Sequence, residues 1–252
     1  MKGQPVPVHV YPEKAAGGLF APIEDIAHFV IAGMPDSYHA DHDVLKPESI
    51  ERIYTPMAEI TGFYALVSKS YGFGHFVENT PNGKKAVWHG GQGDGWMTHF
   101  HSIPEDNSGI VIITNSSRSW PFISYILSDW AEWGGFSSVG FGIIAKAIKV
   151  IWAVIGLIVF ASLWQAWQLG RGIVSGRRQF SPLSKKSRTL RLVQSGIFLI
   201  VVSALLWSTN QEYSFVSAVF PIAFGWLELS IFIFAAVLLL SASFPRITVE
   251  VK

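Results

Sequence analysis

Apolar and polar positions change rhythm partway along the chain. Up to residue 136, apolar residues come in short runs divided by Gly, Pro and charged residues; from 139 to 244 they come in long runs. Residues 1–18 hold Pro5, Pro7, Pro12 and Gly17-Gly18, and read as extended or loop chain. Pro22-Ile23-Glu24-Asp25 opens a helix: Pro fits the first turn, and two acids meet the positive end of the helix dipole. Ile23, Ile26, Ala27 and Val30 recur at helical spacing, and Gly33 to Pro35 ends the helix. Pro47-Glu48 opens a second short helix within Lys46–Thr55. From Tyr71 the pattern is that of strands, over Tyr71–Glu78, Lys85–His89, Gly95–Ile103 and Gly109–Thr114. Thr80-Pro81-Asn82-Gly83 and Pro104-Glu105-Asp106-Asn107 are turn signals between them. Pro121–Trp133 is helical again, with Phe122, Ile126 and Trp130 on one face. The expectation for 1–136 is an α+β domain, an antiparallel meander closed by a helix.

The second half predicts a membrane unit over 150–244. Val150–Trp167, Leu190–Trp207 and Phe220–Ser241 are its apolar runs, and 137–149 is a lead-in whose Lys146 and Lys149 can snorkel. A hydrocarbon core of ~30 Å needs about 20 helical residues; the second run reaches that length only if Arg191 snorkels too. Loop 168–191 carries Arg171, Arg177, Arg178, Lys185, Lys186, Arg188 and Arg191, whereas 208–214 holds no Lys or Arg and one Glu. The positive-inside rule then makes this a multi-pass protein of the cell membrane. The basic loop and the tail 245–252 would be cytoplasmic and residues 1–136 extracytoplasmic. Glu228, within the third run, is a candidate functional carboxylate, set against a packing role facing Ser203, Gln194 or a Trp nitrogen.

Charge and composition narrow the chemistry. A net charge of +1 over 252 residues gives no field for nucleic acid, and the basic loop is explained by topology and contact with the lipid bilayer. The absence of Cys removes disulfides, thiol nucleophiles and Cys-based zinc sites. Met1-Lys2-Gly3-Gln4-Pro5 begins no signal peptide. His39, Asp41, His42 and Asp43 in the loop Tyr38–Asp43 could ligate a metal, but a solvated loop is the simpler reading. His99 and His101 share a strand face and raise the same question; two half-exposed strand histidines are the simpler reading there. No metal and no cofactor are expected.

The stretch Trp88-His89-Gly90-Gly91-Gln92-Gly93-Asp94-Gly95-Trp96 joins other elements that together resemble one family. Gly17-Gly18-Leu19 with Pro22-Ile23-Glu24-Asp25-Ile26-Ala27, Tyr71-Gly72-Phe73-Gly74, His89-Gly90-Gly91 with Gly95-Trp96, and Ile103-Pro104-Glu105 before Gly109–Asn115 occur in order over about 115 residues. This order resembles the serine β-lactamase and penicillin-binding-protein family: class C-type β-lactamases, D-alanyl-D-alanine peptidases and related esterases. Only that family's C-terminal part is matched, ahead of three transmembrane helices. The resemblance implies acyl transfer to a serine in Ser-x-x-Lys, proton handling by that lysine and the tyrosine of Tyr-x-Asn, and a His-x-Gly strand as the opposite wall. On that basis His89 stands where the family's strand cation stands, Gly90 and Gly91 allow close approach, and the Gln92 N–H is an oxyanion donor. Without the resemblance the stretch reads as a glycine-rich turn between strands.

No Ser in the chain has Lys three residues later, and no Tyr has Asn or Ser two residues later. The nucleophile is absent, so the chain reads either as a truncated, membrane-anchored serine hydrolase, inactive alone, or as a non-catalytic membrane protein for ligand binding or signalling. The candidate partners are a cell-wall peptide or β-lactam-like ligand and a missing N-terminal half or partner chain. A small transporter is the third and weakest alternative.

Overall fold

The computed structural model describes residues 17–35, 45–93, 95–136, 138–182, 188–210 and 215–247. The loop Tyr38–Asp43, with its candidate metal ligands, lies outside them, as does Asp94. The chain divides into two compact units, Met1–Ala147 and Ile148–Lys252.

The first unit is built on one six-stranded antiparallel sheet in sequence order. Its strands are β1 (Ala58–Glu59), β2 (Ser70–Tyr71), β3 (Phe76–Asn79), β4 (Lys85–Gly93), β5 (Trp96–Ile103) and β6 (Ser108–Thr114). The helices are α1 (Ile23–Ala32), α2 (Pro47–Ile53) and α3 (Trp120–Trp133). It is the α+β arrangement expected, with local corrections that follow from glycine. The single strand expected over Tyr71–Glu78 is a hairpin, because Gly74 takes φ 74° and the Gly72 N–H donates to His75 O at 2.8 Å. Gly72 also passes so close to the main chain of Ile53 and Thr55 that a Cβ would strike their carbonyl oxygens. The strand expected to end at His89 runs on to Gly93, since a β ladder is made by the main chain and three glycines do not interrupt it. What reads as a long glycine-rich turn is therefore strand as far as Gly93, and Gly95 beyond it takes φ 94°.

The two sheet faces are covered differently. Trp88, Met97, His99, His101, Ile103 and Ile112 share one face by register and are buried. Trp88 and His99 lie against Phe141, and His101 lies against Trp130 of α3. α3 buries Trp120, Ile123, Leu127 and Trp130; Phe122, expected on that face, stays 54% exposed, because the buried stripe runs through Ile123 and Leu127, one position round the helix from it. On the other face α1 packs over β5 and β6. A Cβ on Gly109 would come within 2.8 Å of both Val30 and Met34, so glycine lets the helix sit close.

The lead-in expected over 137–149 belongs to one long helix, α4 (Gly142–Val174). Its first turn is held by Ser124, whose hydroxyl donates to Phe141 O at 2.8 Å and accepts from the Ala145 N–H at 2.9 Å. The rest of the chain forms α5 (Arg188–Thr209), a short α6 (Phe215–Val219) and α7 (Pro221–Ser243). α5 and α7 pack together, and the Ser208 hydroxyl donates to Glu228 Oε1 at 2.8 Å. Three helices, Gly142–Val174, Arg188–Ser208 and Pro221–Ser243, are long and apolar enough to cross a membrane.

Candidate functional site

β3 accompanies β4 only over its first part, and the last partners are Phe76 and Trp88. From His89 to Gly93, β4 is paired, among the described residues, with β5 alone, and its other edge is open there. All four residues singled out from the sequence lie on that edge: His89 is half-buried, and Gly90, Gly91 and Gln92 are exposed. A two-residue turn closes on a hydrogen-bonded pair, here Gly93 and Trp96, and antiparallel pairs alternate along the ladder. His89, Gly91 and Gly93 therefore direct their N–H groups at β5, and Gly90 and Gln92 direct theirs to the open edge.

The glycines shape this edge. A Cβ at Gly91 would lie 2.6 Å from Thr98 Oγ1; one at Gly90 would lie 3.3 Å from Thr98 O and 3.5 Å from His99 Nδ1. Side chains here would displace neighbours and stand in the way of anything approaching the main chain. The His89 ring is bordered by Phe76 and Tyr71, at centroid distances of 5.7 and 6.2 Å. Burial pushes the His89 imidazole below its ordinary value, with the main chain of Gly90 pulling the other way. Near neutral pH this position thus presents a neutral hydrogen-bonding ring where the resemblance implied a cation. Burial also raises the Tyr71 phenol. The Gln92 side chain reaches towards Ser117 O at 3.5 Å, just past the end of β6.

Beyond the tip of the hairpin is an open cavity of about 790 Å³ lined by Leu19, Phe20, Trp96, Thr98, Ile113 and Asn115. Phe20 meets Trp96 edge-on at 5.9 Å. The glycine-rich element at residues 17–19 and the Gly95-Trp96 pair, far apart in sequence, are thus neighbours.

A buried polar chain under the edge was not foreseen. His99 and His101 are 3% and 0% exposed, which corrects the expectation of half-exposed histidines: α3 and Phe141 cover that face. His101 Nε2 is 3.3 Å from Glu78 Oε1, within ion-pair range but poorly aligned for a hydrogen bond. His101 Nδ1 is 3.4 Å from His99 Nε2. The other Glu78 oxygen accepts the Gly140 N–H at 2.9 Å. With the His101 Nε2 proton turned to the carboxylate, Nδ1 accepts from His99, whose free nitrogen then lies beneath Gly90. Burial is the main cause holding His99 well below its ordinary value, with His101 and then His89 adding to it, so it is neutral. The sequence signal was the i, i+2 pair of histidines; what it lacked was the cross-strand register that brings Glu78 to them.

Among the described residues no group of three or more His, Asp or Glu is arranged to hold a metal ion. No curated protein matches the chain. Residues 2–124, just under half of the chain, match the family model described as Beta-lactamase, and this is the part that carries the antiparallel sheet and its flanking helices.

Proposed function

We propose that this is a membrane-anchored protein of the β-lactamase-related serine hydrolases whose open β4 edge serves as one wall of an acyl-transfer site. The observation that carries the reading is the edge itself: His89 beside Tyr71, two exposed glycines, and outward N–H groups at Gly90 and Gln92 past the end of β3. In this role the edge binds the substrate main chain as an added strand, and the Gln92 N–H lies where charge develops on the carbonyl oxygen. The neutral His89 ring orients a polar group of the substrate. Ligands of the right chemistry are β-lactams, peptides ending in D-alanine and small esters. The membrane helices hold the domain on the extracytoplasmic side, as the basic segment 168–191 suggests.

The nucleophile and its lysine would have to come from outside these 252 residues, so the chain alone is expected to be inactive. The absence of both motifs equally favours a second reading, a non-catalytic binder of the same ligands. A fluorescent penicillin incubated with the purified full chain tests the first point. No covalent label is expected, and a label that survives denaturation overturns the statement that the nucleophile is absent. The DNA preceding Met1 separates the two readings: an in-frame Ser-x-x-Lys and Tyr-x-Asn favour the enzyme, and their absence favours the binder.

A further inference from the structure

Four arginines gather around one pocket in the second unit. Arg171 lies in the last turn of α4, Arg177 and Arg178 follow it, and Arg246 comes from beyond the end of α7. The pocket has a volume of about 370 Å³, and its remaining walls include Trp167 and Ile247. Arg178 and Arg246 are partners in an isolated antiparallel bridge, fastened by the Ile247 N–H donating to Arg177 O at 2.9 Å. Like charges placed directly opposite across a bridge repel. Among the described residues none of the four forms an ion pair with a carboxylate.

Part of this arrangement is structural. Arg178 donates to Ser241 Oγ and Phe244 O, each at 3.1 Å, and so caps the C-terminal end of α7, where a cation is favoured. Gly172 permits that placement, since a Cβ there would come within 2.8 Å of Arg178 Cδ. Arg177 donates to Ser175 Oγ at 2.8 Å, and Arg171 lies 4.8 Å from the centre of the Trp167 ring. Each guanidinium keeps further donors, and helix capping accounts for Arg178 alone. Guanidinium groups converging without a carboxylate match a phosphate, which accepts several charge-assisted hydrogen bonds at once.

We propose that this pocket binds a phosphate group, that of an anionic phospholipid headgroup. The pocket adjoins the end of an apolar helix at a tryptophan, the depth at which headgroups and interfacial aromatics meet. Trp167 and Ile247 add an apolar wall for the glycerol and the first acyl carbons, which a free phosphate would not use. The site rests on the reading of α4 and α7 as membrane helices, but on neither the sidedness of the chain nor the β-lactamase-like chemistry.

Native mass spectrometry of the full chain in neutral detergent, titrated with short-chain phosphatidylglycerol, phosphatidylcholine or soluble glycerol phosphate, tests it. A retained phosphatidylglycerol adduct is expected, with phosphatidylcholine and glycerol phosphate held more weakly. Arg171→Gln and Arg246→Gln should each weaken the phosphatidylglycerol adduct about tenfold. Arg188→Gln removes the same charge outside the pocket and should leave the adduct unchanged; equal weakening by it reduces the effect to general electrostatics and overturns the site. Equal affinity for glycerol phosphate overturns the lipid assignment, and no selectivity over phosphatidylcholine overturns the proposal. Arg178 is left intact because of its cap on α7, and melting of the two variants at the native temperature verifies their fold. Failure of the membrane reading would be seen separately, as a chain that stays soluble without detergent.

Discussion

Trp88 stacks on Phe76 across the final residue pair of β3 and β4, with ring centroids 4.0 Å apart and planes 10° from parallel. The stack sits where β3 ends and the open edge begins, and Trp88 is 2% exposed. It fixes the strand immediately before His89 at both its backbone and its side chain. Trp88→Ala removes this stack and the contacts with His99 and Phe141, and should cost about 3–5 kcal/mol. Thermal unfolding of the full chain in detergent, followed by near-UV circular dichroism, measures the loss.

Gly91→Val tests the edge rather than the core. Its Cβ would lie 2.6 Å from Thr98 Oγ1, a side-chain atom that can turn away, so the loss of stability should be modest, about 1 kcal/mol. Ligand approach to the main chain should be blocked. The expected outcome is a melting temperature close to that of the parent, with any stabilisation by benzylpenicillin abolished. A variant still stabilised by the ligand would remove the edge from the proposed site.

Acidification should destabilise the first unit. An imidazole in the unfolded chain takes its proton near pH 6.5, while burial holds His99 well below that value in the fold, and His75 and His89 below it. As pH falls below 6.5 the unfolded state therefore binds protons that the folded state does not, and stability declines towards the folded values. Each histidine contributes a slope of at most about 1.4 kcal/mol per pH unit within that window. Melting temperatures measured from pH 7.5 to 5 should fall, and His99→Phe should flatten the decline.

Glu78→Ala leaves the part-buried Gly140 N–H without its acceptor and the buried His101 Nε2 without the carboxylate beside it. A loss of about 1–3 kcal/mol follows from the one unmade hydrogen bond. Glu78→Gln keeps a carbonyl for Gly140 and should lose less, which separates hydrogen bonding from charge. Denaturation of the parent and both variants gives the order.

How far the sequence reached can be judged at particular residues. The strands and α3 were legible because alternation and 3.6-residue spacing are local properties. The split at Gly72 and Gly74 was not, because a glycine within an aromatic run is equally compatible with a strand and a tight hairpin until Phe76 is known to pair with Tyr71. Gly90, Gly91 and Gly93 misled in the opposite direction: propensity marks them as turn, and only the ladder with β5 keeps them extended. His89 and its three neighbours were singled out through their motif context, and the ladder with β5 puts them in one strand. The Glu78–His101–His99 chain needed two strand registers and could not be assembled from spacing within one strand. Four arginines in a basic segment and tail read as topology signals, and their convergence depends on the bridge between residues 178 and 246.

The one-sided pairing of β4 has a consequence for hydrogen exchange. The amides of His89, Gly91 and Gly93 lie within the ladder to β5 and should exchange slowly, while that of Gly90 should exchange at nearly the rate of an open chain. Protection would therefore alternate residue by residue along a single strand. A strand half locked in this way can offer a donor to an incoming carbonyl without breaking any bond that holds it in place, so binding there need cost the fold nothing.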